Sequence, residues 1–232
     1  VLLPTMVVSD GFFMSHLYEP VDVPDQELVD KFLGTAKEKK RTRFSDSESM
    51  QFALSFSGKP YIQYRYQTLN AIDNIFPKVE KEFEELFGRS YGGMVEEYKT
   101  EDAEILLMTI GSMSGMAKNV IDEAREAGIK VGLARIRMFR PFPKEEIVRI
   151  FKGRKAVGVI DRSIALGWNC GTVYQEVKAA ISGHEDMPKM LSFIDGISTM
   201  DITREHIELA VGMTRDAGNG EPVKEVNWLS WE

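Results

Sequence analysis

The stretch EILLMTIGSMSGMAKNVIDEAREAGIKVGLARIR, residues 104–137, decides the fold. Glu104–Ile110 is an apolar run of strand length, and Met116–Ala127 has helical spacing that stops at Gly128. Lys130–Arg137 is the next strand. A strand that returns through a helix to a second strand is the unit of a parallel sheet. Downstream the same alternation continues. Arg140-Pro141-Phe142-Pro143 breaks the chain, then Lys144–Phe151 reads as helix, Lys155–Asp161 as strand and Thr172–Ser182 as helix. Met190–Asp195 is a strand and Thr203–Met213 the last helix. Four βα units with short connections predict a mainly parallel sheet with helices on both faces.

Upstream the pattern differs, and the chain divides near Tyr98. Thr5–Val8 is β-branched and apolar and breaks at Ser9-Asp10-Gly11, a strand-to-loop signal. Asp25 can cap a short helix through Leu28, Val29, Phe32 and Leu33, stopped by Gly34. Residues 35–49 are mostly charged, Ser and Thr, a solvated connector. Leu69, Ile72, Phe76, Val79, Phe83 and Leu86 then form one stripe of a long helix ending at Gly88. Pro77 inside it removes a hydrogen bond and should kink it.

Composition sets outer limits. The 232 residues are 43% hydrophobic and 28% charged, enough apolar content for a real core. The net charge is −7, which argues against a nucleic-acid partner. No segment approaches a membrane span. One cysteine, Cys170, excludes an internal disulfide, a CxxC pair and a self-contained cysteine-ligated cluster, and fits a reducing, cytoplasmic setting.

The residues that can carry chemistry are few. Gly111-Ser112-Met113-Ser114-Gly115 sits where backbone N–H groups can hold a phosphate or carboxylate. It is neither GxGxxG nor a Walker loop, and a serine N-cap with glycine for close packing accounts for it. Arg135–Lys155 holds eight Lys/Arg against two Glu, a local +6 that reads first as solvated faces. Asp161-Arg162-Ser163 ends a parallel strand, where open α/β sheets place ligands, with loop-fixing as the plainer role. Ser15 and His16 adjoin but should point different ways along an extended chain, which excludes a hydrolase dyad. His16 can still line a site. The three histidines show no metal-ligand spacing. Cys170 reads as a packed thiol. No complete active site emerges from the residues alone.

Several motifs together resemble the α subunit of 2-oxoacid:ferredoxin oxidoreductases, the pyruvate synthase family. They are Ser9-Asp10-Gly11-Phe12-Phe13-Met14-Ser15-His16, Phe87-Gly88-Arg89-Ser90-Tyr91-Gly92 and Ile110–Lys118. Arg137-Met138-Phe139-Arg140-Pro141-Phe142-Pro143 and Asp161-Arg162-Ser163-Ile164-Ala165-Leu166-Gly167 are the sharpest. The resemblance implies that residues 1–97 end a thiamine-pyrimidine-binding domain. It makes residues 98–232 a transketolase C-terminal-like α/β domain with an extended tail.

It further implies oxidative decarboxylation of a 2-oxoacid to acyl-CoA, with electrons passing to ferredoxin. Pyruvate and branched-chain or aromatic 2-oxoacids such as phenylglyoxylate are equally open, because Gly196–Asp201 departs from the Gly-rich, Arg-containing turn of many members. Thiamine diphosphate and Mg would be shared with another subunit, and iron–sulfur clusters would lie in β, γ or δ type partners. The family's pyrimidine-activating glutamate has no counterpart here, so the chain alone should be inactive. No catalytic or metal-binding residue is assigned; Ser15, His16, Asp161, Arg162 and Ser163 are the site-proximal candidates. A thiamine-dependent dehydrogenase or transketolase-type domain, or a stand-alone α/β anion-binding module, are the alternatives. The tail, with Trp228, Leu229 and Trp231, is expected to pack on another subunit.

Overall fold

The computed structural model describes residues 5–11, 13–34 and 58–231. They fall into two compact units, one containing Tyr18–Tyr91 and the other containing Val8–Leu17 with Gly92 onward.

In the first unit, α2 (Gln26–Leu33) ends at Gly34, and α3 runs Lys59–Phe87 to a left-handed Gly88. The predicted stripe is real, and α3 extends ten residues further toward the N-terminus than Leu69 marks. Phe32 of α2 meets Phe83 and Phe87 edge-on, at 5.5 and 5.7 Å, so both apolar faces turn toward each other. Pro77 lies inside α3, which stays helical on both sides of it. The expected connector at 35–49 lies outside the described residues.

The second unit opens with a single helical turn, α1 (Phe13–His16), and then forms a six-stranded sheet. Its strands are β1 (Val95–Tyr98), β2 (Ile105–Ile110), β3 (Val131–Ile136), β4 (Ala156–Asp161), β5 (Lys189–Ile194) and β6 (Val226–Trp228). Their spatial order is β1-β3-β2-β4-β5-β6, all parallel except β1, which runs antiparallel to β3. The helices are α4 (Met113–Glu126), α5 (Lys144–Phe151), α6 (Thr172–Ile181) and α7 (Arg204–Gly218). Alternation along β2 shows why both faces are covered. Leu106 and Met108 join Ile147, Phe151, Val173 and Val177 of α5 and α6, while Ile105 and Leu107 join Ala117, Ile121, Ile207 and Val211 of α4 and α7. Among the described residues no helix is long and apolar enough to cross a membrane.

Two expectations need correction. Thr5–Val8 forms no strand: its backbone is irregular, and Met6, Val7 and Val8 are exposed. A β-branched run becomes a strand only where a neighbour accepts its hydrogen bonds. The tail, in turn, is a core element of its own unit. Val226–Trp228 adds β6 beside β5, and Leu229, at the start of a 3-10 turn, is buried in the α4/α7 side of the core. Trp231 stacks on Trp228, with ring centroids 4.8 Å apart.

The Arg140-Pro141-Phe142-Pro143 segment is anchored by Phe142, which meets Phe139 edge-on at 5.8 Å against the α5/α6 side of the core. Phe142 is half-buried. Replacing it with Ala is expected to cost about 2 kcal/mol, below the ~3–5 of a fully buried phenylalanine. Urea titration of the two proteins checks this; an unchanged midpoint would mean that the prolines alone hold the turn.

Candidate functional site

The strand order places a topological switch at β2 and β4. The chain leaves β2 through α4 toward β3 on one side, then crosses through α5 to β4 on the other. Ligands of open α/β sheets bind in the crevice such a reversal leaves at the carboxyl ends of the strands. Here that edge carries the Gly111–Gly115 turn after β2 and the Arg162–Gly171 loop after β4.

Gly111 leaves β2 at φ +81°, a conformation that favours glycine. The buried Thr109 and Ser114 hydroxyls bond each other at 2.8 Å, and Ser114 Oγ donates to the Gly111 carbonyl at 2.9 Å. Ser112 occupies the N-cap position of α4 without making a side-chain cap. The expected serine cap is thus replaced. Asp10, distant in sequence, accepts the Ser112 N–H at 2.5 Å through Oδ2. A methyl group on Gly111 would come within 2.7 Å of that oxygen.

The other carboxylate oxygen, Oδ1, lies 3.2 Å from Arg162 Nη1, and Arg162 Nε reaches the Gly196 carbonyl beyond β5 at 3.4 Å. Burial alone would raise the Asp10 carboxyl. Hydrogen bonds from Ser112 and the Arg162 and Arg135 charges outweigh it and hold the group below the usual carboxylate range. One side chain therefore spans the ends of β2 and β4 and, through Arg162, of β5. An anion at a helix start beside a guanidinium is what this crevice is built to accept, and Asp10 supplies it from within the chain.

Asp161 takes the other predicted role. It is fully buried and turns into the sheet, accepting the Val173 and Tyr174 N–H groups of α6 at 2.9 and 3.0 Å. Burial pushes its carboxyl up to about 6, against the two amides and a hydrogen bond from Ser163. Gly171 is the condition for this clamp, because a Cβ there would collide with the Asp161 carboxylate. So the triplet divides: Asp161 ties β4 to α6, Ser163 supports it, and Arg162 faces Asp10.

Ser15 and His16 lie on α1, where Ser15 Oγ and His16 Nδ1 are 2.8 Å apart. The expected divergence was wrong, because the segment is a helical turn rather than an extended chain. His206 also has a carboxylate neighbour that its sequence spacing hid. Its Nδ1 is 2.6 Å from the buried Asp195 Oδ2, and Ser230 donates to the other oxygen of Asp195. That trio joins β5, α7 and the C-terminal turn. Cys170 is buried, and burial raises its thiol.

The basic stretch is met by carboxylates: Arg135 by Glu96 at 3.2 Å, Arg149 by Glu97 at 2.5 Å, Arg140 by Glu176 at 2.6 Å and Lys155 by Glu104. Among the described residues no group of three His, Cys, Asp or Glu side chains could hold a metal ion. Asp10, Gly171 and Asp195 are the positions that sequence reading passed over. The Asp10-Gly11 pair carried the only local signal, and it reads simply as a turn.

Residues 1–85 match the family model described as "Pyruvate flavodoxin/ferredoxin oxidoreductase, thiamine diP-bdg". Residues 103–207 match "Pyruvate:ferredoxin oxidoreductase core domain II". Asp10 lies in the first match, Ser112 and Arg162 in the second. Pyruvate synthase subunit PorA of Pyrococcus abyssi is 37% identical over 233 residues, covering 99% of this chain and 58% of that protein. The alpha subunit of NADH-dependent phenylglyoxylate dehydrogenase of Aromatoleum evansii is 35% identical over 241 residues, 99% of this chain and 58% of its own length. Ketoisovalerate oxidoreductase subunit VorA of Pyrococcus horikoshii is 36% identical over 232 residues, covering 97% and 58%. The chain thus spans 58% of the length of these relatives.

Proposed function

The chain belongs to the pyruvate:ferredoxin oxidoreductase family, and from that membership we propose that it forms part of the α subunit of a thiamine-diphosphate-dependent 2-oxoacid oxidoreductase. The assembled enzyme oxidatively decarboxylates a 2-oxoacid to an acyl-CoA and passes electrons to ferredoxin. The observation that carries this is the succession of two models of one family along the chain, with relatives at 35–37% identity across nearly all of it. In this reading residues 1–97 close the thiamine-pyrimidine-binding domain and residues 98–232 form the transketolase C-terminal-like domain.

Cys170 is the single cysteine, and the described residues offer no metal-ligand trio. As the family membership implies, thiamine diphosphate and Mg are shared with another subunit, and the iron–sulfur clusters lie in partner subunits. What this chain contributes is a wall: the switch-point edge with Arg162 and Ser163, and the α1 turn with Ser15 and His16. The substrate is a 2-oxoacid whose side chain the relatives' names leave between small, branched and aromatic.

The test is reduction of ferredoxin by the purified complex in the presence of thiamine diphosphate and CoA, offering pyruvate, 2-oxoisovalerate and phenylglyoxylate in turn. Reduction by one of them, absent without thiamine diphosphate, is expected; the isolated chain should give none. A complex that reduces ferredoxin with no 2-oxoacid of the three classes would overturn the assignment.

A further inference from the structure

From Gly92 onward, the large apolar side chains that stand exposed among the described residues are Met116, Leu166, Trp168, Met200 and Trp231. All of them lie at one edge of the sheet. Met116 is in the first turn of α4, after β2, and Leu166 and Trp168 are in the loop after β4. Met200 is in the loop after β5, and Trp231 in the turn after β6, where it stacks on Trp228. These strands are neighbours in the order β2-β4-β5-β6, so the residues follow a carboxyl edge about 15 Å wide at ~4.8 Å per strand. The opposite edge is charged: Glu104 bridges Lys130 and Lys155, Arg125 meets Asp102, and Lys178 meets Glu225.

Leu166 and Trp168 project furthest, at 93% and 69% exposed, from a loop that is tightly closed. The Ala165 N–H donates to the Cys170 carbonyl and the Trp168 N–H to that of Ala165, both at 2.9 Å. The Gly171 N–H donates to Ser192 Oγ at 3.1 Å, and Gly167 turns the loop at φ +84°. A loop already in shape loses little entropy when a partner covers it. Its one charged side chain, Arg162, faces Asp10 at 3.2 Å. An exposed apolar patch, poor in charge and centred on a tryptophan, has the composition of a protein contact. The five side chains present on the order of 500 Å² of apolar area, at ~150–250 Å² for each tryptophan. A contact of standard size buries roughly 800 Å² per partner, a little over half of it apolar, which the patch matches.

We propose that this edge is the docking surface for the subunit with which the chain shares thiamine diphosphate, with Trp168 and Leu166 as its anchors. The proposal rests on the reading of the chain as one subunit of a 2-oxoacid oxidoreductase. Ligands of open α/β sheets sit at this edge, and a cofactor shared by two chains brings the second chain to the edge where the ligand lies. A second copy of this chain fits less well. A twofold contact sets the projecting patch against its own copy, whereas two hollows of the described surface, beside Met187 and beside Ile129, open at the opposite edge. The complementary surface is an apolar recess on the other subunit, wide enough for an indole.

The experiment measures the affinity of the chain for that subunit, both taken from the co-expressed complex, with Leu166→Ser and Trp168→Ser combined in one variant. The dissociation constant is expected to rise about ten- to a hundredfold, the scale of a lost central anchor. The urea midpoint of the free chain should stay in place, because both side chains are exposed. Lys152→Ser, at the opposite edge, should leave the affinity alone. Oxidative footprinting of the unaltered chain, free and assembled, reads the surface without any substitution, and Trp168, Met116 and Met200 should become protected. An affinity within twofold of the unaltered chain's, or equal footprints in the two states, overturns the docking surface. Self-association of the free chain that the variant abolishes while the subunit stays bound assigns the edge to a second copy and overturns the chosen occupant. An assembled complex that oxidises no 2-oxoacid removes the enzyme reading, and affinity and footprint then decide the contact by themselves.

Discussion

Removing residues 220–232 unfolds the second unit. The deletion takes away β6, leaves the far edge of β5 unpaired and strips Leu229, which is 2% exposed, from the core. It also removes Ser230 from Asp195, and Glu225 from Tyr174 and Lys178. Loss of a buried leucine side chain costs about 2–5 kcal/mol, and leaving buried Asp195 short of a donor adds ~1–3. Together these approach the whole stability of a typical domain, about 5–15 kcal/mol. Urea unfolding followed by far-UV circular dichroism measures it, with Leu229→Ala as the graded comparison at ~2–5 kcal/mol. A truncated protein that keeps its unfolding midpoint would show that β6 merely decorates the sheet.

Gly171→Ala is expected to be the most damaging single methyl group. The added carbon falls on the Asp161 carboxylate, so Asp161 must swing away and abandon two amides at the start of α6. Two buried donors left open, with a displaced buried carboxylate, place the cost at about 3–5 kcal/mol.

The same clamp has a pH signature. Asp161 titrates at about 6 in the folded chain, above its ordinary value of 3.8. An acid whose folded pKa is raised favours the fold in its protonated form. Its contribution is complete below pH ~4, declines as pH rises through 6, and is flat beyond, a loss on the order of 3 kcal/mol. Asp161→Asn carries no charge in this window. Its stability relative to the unaltered chain should therefore improve by that amount between pH 4 and 7, whatever constant cost its amide incurs against the two N–H groups. Parallel slopes for the two proteins across this range would refute the buried-charge account.

How far the sequence speaks depends on how local the physics is. β2 to β5 and α4 to α7 were legible because their apolar spacing repeats inside each element and Gly or Pro marks their ends. The sequence pattern places α5 at Lys144–Phe151, as observed, while its last helix, Thr203–Met213, stops five residues short of the observed end at Gly218. β1 and β6 escaped notice. With four and three residues, Glu96 and Glu97 in one and Asn227 in the other, they exist only through their partners β3 and β5. Thr5–Val8 is the converse, a strand-like composition without a partner. At the site, Arg162 and Asp161 were flagged by their place at a strand end, but their division of labour was not. It depends on Gly171 and on Asp10, whose partner Ser112 is 102 positions away.

The route of the chain gives that long-range bond a further weight. The second unit takes in Val8–Leu17 and everything from Gly92, so the bond between Asp10 and Ser112 joins two parts of that unit that are separated along the chain by residues 18–91. Pinning the ends restricts how widely an unfolded loop can wander, and the entropy so removed grows only slowly with loop length, about 0.6 kcal/mol per doubling. The carboxylate of Asp10 thus acts at a distance as a reversible tether, as a crosslink would. A protein expressed from Gly92 onward would keep every strand yet lose this closure, and α4 would begin with the Ser112 amide facing water.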